Sequence, residues 1–295
     1  MNNYTDLARE SIEHLKENVD YRFSKKFFQD IILENYEFLK EPKGTYFEII
    51  LKELEASSLQ KAFEEIFKPY LNKKRILIVG VGNIYFNADA IGPLVVSHME
   101  PVLDHLYLLI PRVKGQSGMD SAKLVKKVKE LYDIDLVIAI DALCAIETNS
   151  LFQTIQINTM GIQPGSALSS SSESITKEYL GCDVLAMGIP CVIKVGSLIN
   201  EFFKDIEGFF YESLNDYSSV LKVTGKKEYQ GQLSLVHKEK LLGEIGLLNN
   251  DQRLDLINDI IRPVNKDLVV SVKEADKSVK DLALIISQCL QNIFK

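Results

Sequence analysis

No two of the four cysteines, Cys144, Cys182, Cys191 and Cys289, stand at C-x-x-C spacing. That leaves zinc-knuckle and thioredoxin-type redox chemistry without support, and the thiols read as reduced, mostly buried residues of a cytoplasmic protein. The first fifteen residues lack the apolar stretch of a signal peptide. No apolar run reaches the roughly 18 residues that span a bilayer. These absences predict a soluble protein that stays inside the cell and has no membrane partner. Clustered Lys and Arg are missing too, and the formal charge is -7. Neutralising phosphates requires such clusters, so a direct nucleic-acid ligand is not expected. An acidic enzyme can still attract basic, DNA-associated proteins as substrates.

Several catalytic signatures are absent as well. No G-x-S-x-G elbow is present for a Ser-His-Asp triad. Gly80-Val81-Gly82 follows a strand-like run, but the third glycine of a dinucleotide fingerprint is replaced by Tyr85. None of His14, His98, His105 and His237 pairs with a Cys or carboxylate in a convincing metal-ligand motif. The expectation is therefore no metal and no cofactor.

What is present is enough apolar residue, 46% of the chain, to bury a sizeable core. The first 25 residues read as a polar, partly helical arm. Segments 29–38 and 45–52 flank the turn-like stretch 41–44 and fit an antiparallel hairpin, though each also tolerates a helical reading. Residues 53–71 carry apolar residues at helical spacing. The run Arg75-Ile76-Leu77-Ile78-Val79 predicts a strand buried on both faces, ended by Gly80-Val81-Gly82-Asn83. A helix is expected from Ala90 to His98, a strand over 105–110, a loop with Gly115 and Gly118, and a helix over 119–131. A third buried strand, 136–140, is expected to stop at Asp141, with further strands at 153–157 and 183–187. Residues 169–174 read as a surface loop and 214–236 as a polar linker. Segments 238–248, 250–261 and 272–293 read as helices. The alternation predicts an α/β fold with a mostly parallel central sheet flanked by helices. Its parts are an N-terminal arm, hairpin and helix (1–73), an α/β core (74–222) and a linker with a helical C-terminal extension (223–295), packed as one unit.

In such sheets, ligands collect at the carboxyl ends of the parallel strands. Asp141 and Asp89 are placed to reach that edge. Two close carboxylates cannot both ionise easily, so one can hold a proton while the other activates water. Spacing alone favours two helix caps over a catalytic pair.

The surrounding motifs are more specific. Ile78-Val79-Gly80-Val81-Gly82-Asn83 followed by Asp89-Ala90-Ile91-Gly92-Pro93 resembles the "VGLGN…PDALGP" segment of the spore germination protease family. Residues Pro111 to Asp120 (PRVKGQSGMD) are similar to its "PGVMGxTGIE" loop, and Leu136 to Leu143 to its "DxVIAIDAL" strand. Residues 154–157, 161–166 and 186–190 also match, as does the stretch from Leu242 to about Val272. The resemblance implies a phosphorylase/hydrolase-like core. It also implies an atypical aspartic-type endopeptidase that degrades small acid-soluble spore proteins in the spore core during germination. Asp89 and Asp141 would be the catalytic pair, with backbone amides of Gly80, Gly82 and Asn83 beside them.

The same resemblance implies a homotetramer made as a zymogen. Tyr4-Thr5-Asp6-Leu7-Ala8-Arg9-Glu10 resembles the substrate cleavage sequence, which places self-cleavage between Asp6 and Leu7. Gly115, Gly118, Gln163 and Ser166 are substrate-loop candidates. Gln163 stands where the family usually has His, the Ser169–Ser172 run replaces a glycine and basic stretch, and Lys194 replaces a typical Asp. Two other readings are a non-catalytic relative that binds spore proteins and a metal-dependent maturation endopeptidase. The second has no matching histidine motif.

Overall fold

The structure, a computed structural model, describes residues 19–40, 43–100, 104–164, 173–215, 231–261 and 268–295. The chain opens with strands β1 (Tyr21–Phe28), β2 (Ile31–Phe38) and β3 (Gly44–Leu51), paired antiparallel as a meander. The hairpin expected before residue 52 is β2–β3. The arm reading is corrected for Tyr21–Phe28, which is a strand; residues 1–18 lie outside the described residues. β1 is exposed along almost its whole length, so it carries no apolar face in its composition. Tyr21 and Phe23 instead stack on Tyr36 and Phe38 of the next strand, with ring centroids 4.9–6.0 Å apart.

Helix α1 (Ala56–Phe67) starts at Glu55, whose carboxylate accepts the amides of Ser57 and Ser58. Its buried face is Leu59, Ala62, Phe63, Ile66 and Phe67, a helical stripe. Next come β4 (Ile76–Gly80), α2 (Ile91–Ser97), β5 (Leu106–Leu109) and the single turn α3 (Lys114–Ser117). They are followed by α4 (Ser121–Tyr132) and β6 (Leu136–Ala145). β7 (Thr154–Asn158), α5 (Lys177–Leu180) and β8 (Asp183–Lys194) come after. The last elements are α6 (Val195–Asn215), α7 (Leu235–Leu242), α8 (Asn250–Ile261), β9 (Val269–Val270) and α9 (Ala275–Ile293).

The fold is α/β, but its sheet is mixed. The strand order is β1-β2-β3-β7-β8-β6-β4-β5. β6-β4-β5 pairs parallel, while β1 with β2, β2 with β3, β3 with β7 and β7 with β8 pair antiparallel. The expectation of a mostly parallel sheet is corrected accordingly. The physical reason is the connections: α2 separates β4 from β5 and α4 separates β5 from β6, as parallel crossovers require. β1, β2 and β3 are instead joined by short turns, as an antiparallel meander allows. On the β4 side, Leu77 and Val79 pack with Val137, Ala139, Ala122 and Val125. Ile76 and Ile78 are equally buried on the opposite face. Each such side chain contributes roughly 1.5–3 kcal/mol by leaving water.

β6 does not stop at Asp141 but continues to Ala145, and β8 runs well beyond residue 187. The helix expected over 238–248 starts at Leu235 and ends at Leu242, where Gly243 takes a positive φ of 64°. Pro263 and the loop 169–172 lie outside the described residues.

The chain forms two compact units, residues 1–192 with 271–295, and residues 193–270. In the second, α6 and α8 are tied by Arg253, whose Nε donates to Asn200 Oδ1 at 2.7 Å. The unit begins at the end of β8, where Ile193 and Lys194 pair with Val270 and Val269 of β9.

Candidate active site

β4 and β6 run parallel with Gly80 opposite Ile140. The Val81 amide donates to the Ile140 carbonyl at 2.8 Å, which extends the ladder to the brink of Asp141. Neighbouring strands lie about 4.8 Å apart, so residues following Gly80 lie beside Asp141. Asp141 is 6% exposed, and its Oδ1 accepts the Ala142 amide at 2.8 Å.

After Val81 the chain turns through Gly82, whose φ is 120°. A Cβ at Gly82 would lie 2.1 Å from the Asp89 carbonyl oxygen, so only glycine lets the loop close here. The Asn83 amide donates to the Asp89 carbonyl at 3.0 Å and to Asp89 Oδ2 at 2.9 Å. The segment from Asn83 to Asp89 is thus a small closed loop, and its tip exposes Ile84, Tyr85 and Phe86. Asp89 then leads into α2. Gly92, in the first turn of that helix, lies where a Cβ would be 2.3 Å from the Ile140 carbonyl and 2.5 Å from the Val81 carbonyl. The helix start therefore presses directly on the β4–β6 junction.

Burial pushes the Asp89 carboxyl up to about 6, against the opposing pull of the Asn83 amide. A third group connects the two acids. Cys191, on β8, is fully buried, and its Sγ donates to the Ile189 carbonyl at 3.3 Å. Burial pushes this thiol up, and the charges of Asp141 and then Asp89 push it further. One buried thiol thus feels both carboxylates.

The turn amides divide by use. Val81 serves Ile140 and Asn83 serves Asp89, whereas among the described residues the Gly82 amide has no hydrogen-bond acceptor. The loop after β5 closes on the same turn: Gln116 Nε2 donates to Asn83 Oδ1 at 2.8 Å, and the Tyr85 amide donates to the same oxygen at 3.1 Å.

The family model of the germination protease matches residues 14–295. The chain belongs to the germination protease family. It is 31% identical over 228 residues to the germination protease of Caldanaerobacter subterraneus, a match covering 72% of this chain and 64% of that relative. Against the germination proteases of Bacillus subtilis and Bacillus pumilus it is 28% identical, covering 88% and 97% of this chain and 80% and 91% of theirs.

Within this germination protease family chain, the structure brings together Asp89, Asp141, Gly80, Gly82 and Asn83. Gly115 and Gly118 belong to the loop after β5; Gly118 takes a φ of 70° at the end of α3, where an added Cβ would meet no atom within 4 Å. Gln163 is half-buried beside Ile162, which bridges to Ile175. Asp6, Leu7 and Ser166 lie outside the described residues. Sequence reasoning missed Gln116 and Cys191, whose proximity arises only from tertiary packing. It quoted Gly92 within a motif without its reason, the approach of α2 to two carbonyls. Among the described residues no three His, Cys, Asp or Glu side chains converge as metal donors. No helix among them is long and apolar enough to cross a membrane.

Proposed function

We propose that the chain is an aspartic-type endopeptidase in which Asp89 and Asp141 hydrolyse a peptide bond directly. The observation that supports this reading is that Val81–Ile140 and Asn83–Asp89 place the turn carrying Asp89 at the β4–β6 edge beside Asp141, with the buried Cys191 thiol feeling both charges. Asp89, held up near 6, keeps its proton at mildly acidic pH and serves as the acid toward the carbonyl oxygen or leaving amine. Asp141 takes the proton of the attacking water. The Gly82 amide supplies a donor for the developing oxyanion.

Family membership supports a substrate of the kind these proteases are named for, proteins consumed at germination. The proposal extends to small acid-soluble spore proteins, to a cytoplasmic site in the spore core and to a homotetrameric assembly. It also includes a zymogen that removes its leader between Asp6 and Leu7. The parallel β6-β4-β5 portion supports the phosphorylase/hydrolase-like comparison.

The test is incubation of a purified small acid-soluble spore protein with wild type, Asp89→Asn and Asp141→Asn. Wild type is expected to cleave, and each variant to lose at least about 100-fold in kcat, the scale of a lost acid or base. Equal cleavage by all three would reject the pair. Binding by all three without cleavage would leave a non-catalytic binder. In the active enzyme, kcat is expected to fall as pH rises through about 6, where Asp89 gives up its proton; a rise there would reverse the two roles. Intact-mass measurement reads the leader: a fully active chain that never loses residues 1–6 rejects self-cleavage.

A further inference from the structure

Helix α8 turns an arginine inward and two aliphatic side chains outward. Arg253 is 6% exposed and Ile257 4%, whereas Leu256 and Ile260 are 39% and 66% exposed. An amphipathic helix is expected to do the opposite. The buried guanidinium makes one hydrogen bond, from Nε to Asn200 Oδ1 at 2.7 Å. Among the described residues its two Nη groups meet no acceptor, and no carboxylate stands within ion-pair reach. Taking a charge out of water is costly unless an opposite charge comes with it. The fork of Arg253 is therefore poised for an anion.

Its surroundings suit one. α8 has 12 residues and begins at Asn250. Side chains lean toward the N-terminus of their helix, so the Arg253 fork lies over the first turn. The bonds agree: Asn200, which accepts from Nε, donates from Nδ2 to Asn250 Oδ1 at 2.9 Å. Asn249 caps the helix, its Oδ1 accepting the Gln252 amide at 2.9 Å and its own amide donating to Gln252 Oε1 at 3.1 Å. Among the described residues the amides of Asn250 and Asp251 meet no acceptor. They carry the positive end of the helix dipole. Asn200 and Arg253 thus form a buried floor, and Asn249 and Asn250 an exposed rim. The Asp251 carboxylate in the same turn weighs against a ligand of two charges.

We propose that Arg253, with Asn200 and the first turn of α8, forms a binding site for a single carboxylate. The two Nη groups hold both oxygens in the planar, bidentate geometry that suits a guanidinium. One cation beside Asp251 matches a singly charged group better than a phosphate, which carries about 1.5–2 charges. The carboxylate belongs to a small acid or to the C-terminus of a peptide, and its chemistry at the guanidinium is the same in both. The site lies within residues 193–270 and draws nothing from the endopeptidase reading. A ligand there bridges the groups that tie α6 to α8, and so stabilises this unit by mass action.

The experiment titrates the full chain with sodium acetate, inorganic phosphate, acetyl-trialanine and acetyl-trialanine amide, at an ionic strength held constant with sodium chloride. Arginine Nε–H resonances in NMR read binding at the guanidinium, and the urea midpoint reads the stabilisation. Wild type, Arg253→Lys and Asn250→Asp are compared. Asn250→Asp keeps an acceptor for Asn200 and puts an acid in the first turn of a helix, where it is favourable, so its fold is preserved. Its carboxylate occupies the fork in place of the ligand. One arginine resonance of wild type is expected to move saturably with acetate, with a dissociation constant of about 10 mM, the scale of one charge-assisted pair. Both variants are expected to weaken acetate at least about tenfold, Arg253→Lys because a point charge replaces the fork. Should Arg253→Lys fail to fold, Asn250→Asp decides. Acetyl-trialanine binding about tenfold tighter than acetate assigns the site to a peptide C-terminus, and equal affinity assigns it to a small acid; either upholds the carboxylate. The proposal is overturned by the absence of a saturable shift, by the amide binding as well as the acid, by phosphate outbinding acetate, or by undiminished acetate binding in Asn250→Asp.

Discussion

The backbone amide of Asn83 donates at once to the carbonyl oxygen of Asp89 at 3.0 Å and to its Oδ2 at 2.9 Å. The bond favours the ionised carboxylate, yet burial outweighs it and holds the group near 6, above its ordinary 3.8.

That balance makes stability depend on pH. The folded chain binds this proton more tightly than the unfolded chain, so the native state is favoured below about pH 4 and loses that advantage as pH rises through about 6. Two units correspond to about 3 kcal/mol, an upper limit because the group is partly open to water. Asp89→Asn is therefore expected to be more stable than wild type by about 1–3 kcal/mol at pH 8 and to match it near pH 4. Urea unfolding at the two pH values reads the difference; a constant offset would place the shift elsewhere.

Gly92→Ala tests the pressing of α2 on the strand edge. Its methyl would sit 2.3 Å and 2.5 Å from two carbonyl oxygens that cannot swing away. A loss of more than about 3 kcal/mol is expected, with collapse of activity, because overpacking against backbone has no side-chain escape. A soluble, fully active variant would show that the helix start is free to move.

Arg112→Gly is expected to stabilise the chain by about 0.5–1 kcal/mol, seen as a higher urea midpoint, since glycine accepts the left-handed conformation without strain. No change in midpoint would mean the turn relaxes around the arginine.

Cys191 and Cys289 are buried and their thiols are pushed up, Cys289 to about 12. Neither is expected to react with iodoacetamide at pH 8 until the chain unfolds, because the thiolate is the nucleophile. Peptide mapping after brief labelling checks this, and native modification of Cys191 would show water reaching the carboxylates from the β8 side.

The parallel core was legible because β4 and the first half of β6, Leu136 to Ile140, are apolar runs buried on both faces and followed by a glycine turn or an aspartate. Helix α1 followed from its apolar stripe, and the helices expected over 90–98 and 119–131 are α2 and α4, of which α4 is capped by Asp120 accepting the Lys123 amide and α2 has no side-chain cap. β1 was not legible, since an exposed edge strand rich in aromatics and lysine has no buried alternation to betray it. The sheet's mixed direction escaped as well, because apolar runs report burial and not the sense in which strands pair. Asp89 and Asp141 were visible as candidates through motif. Gln116 at Asn83 and Cys191 beneath both acids were not, as each contact joins segments distant in sequence.

The second unit leaves the first at Ile193 and returns at Val270, which pair with each other, while Ser271 Oγ clasps the Cys191 carbonyl at 2.6 Å. An excursion whose two ends already touch behaves as one long side loop. Closure entropy grows only with the logarithm of its length, so residues can be gained or lost there at small cost to folding. Evolution can thus resize or replace this module without rethreading the strands that carry Asp89 and Asp141, and a protein engineer can splice a foreign domain into the same doorway.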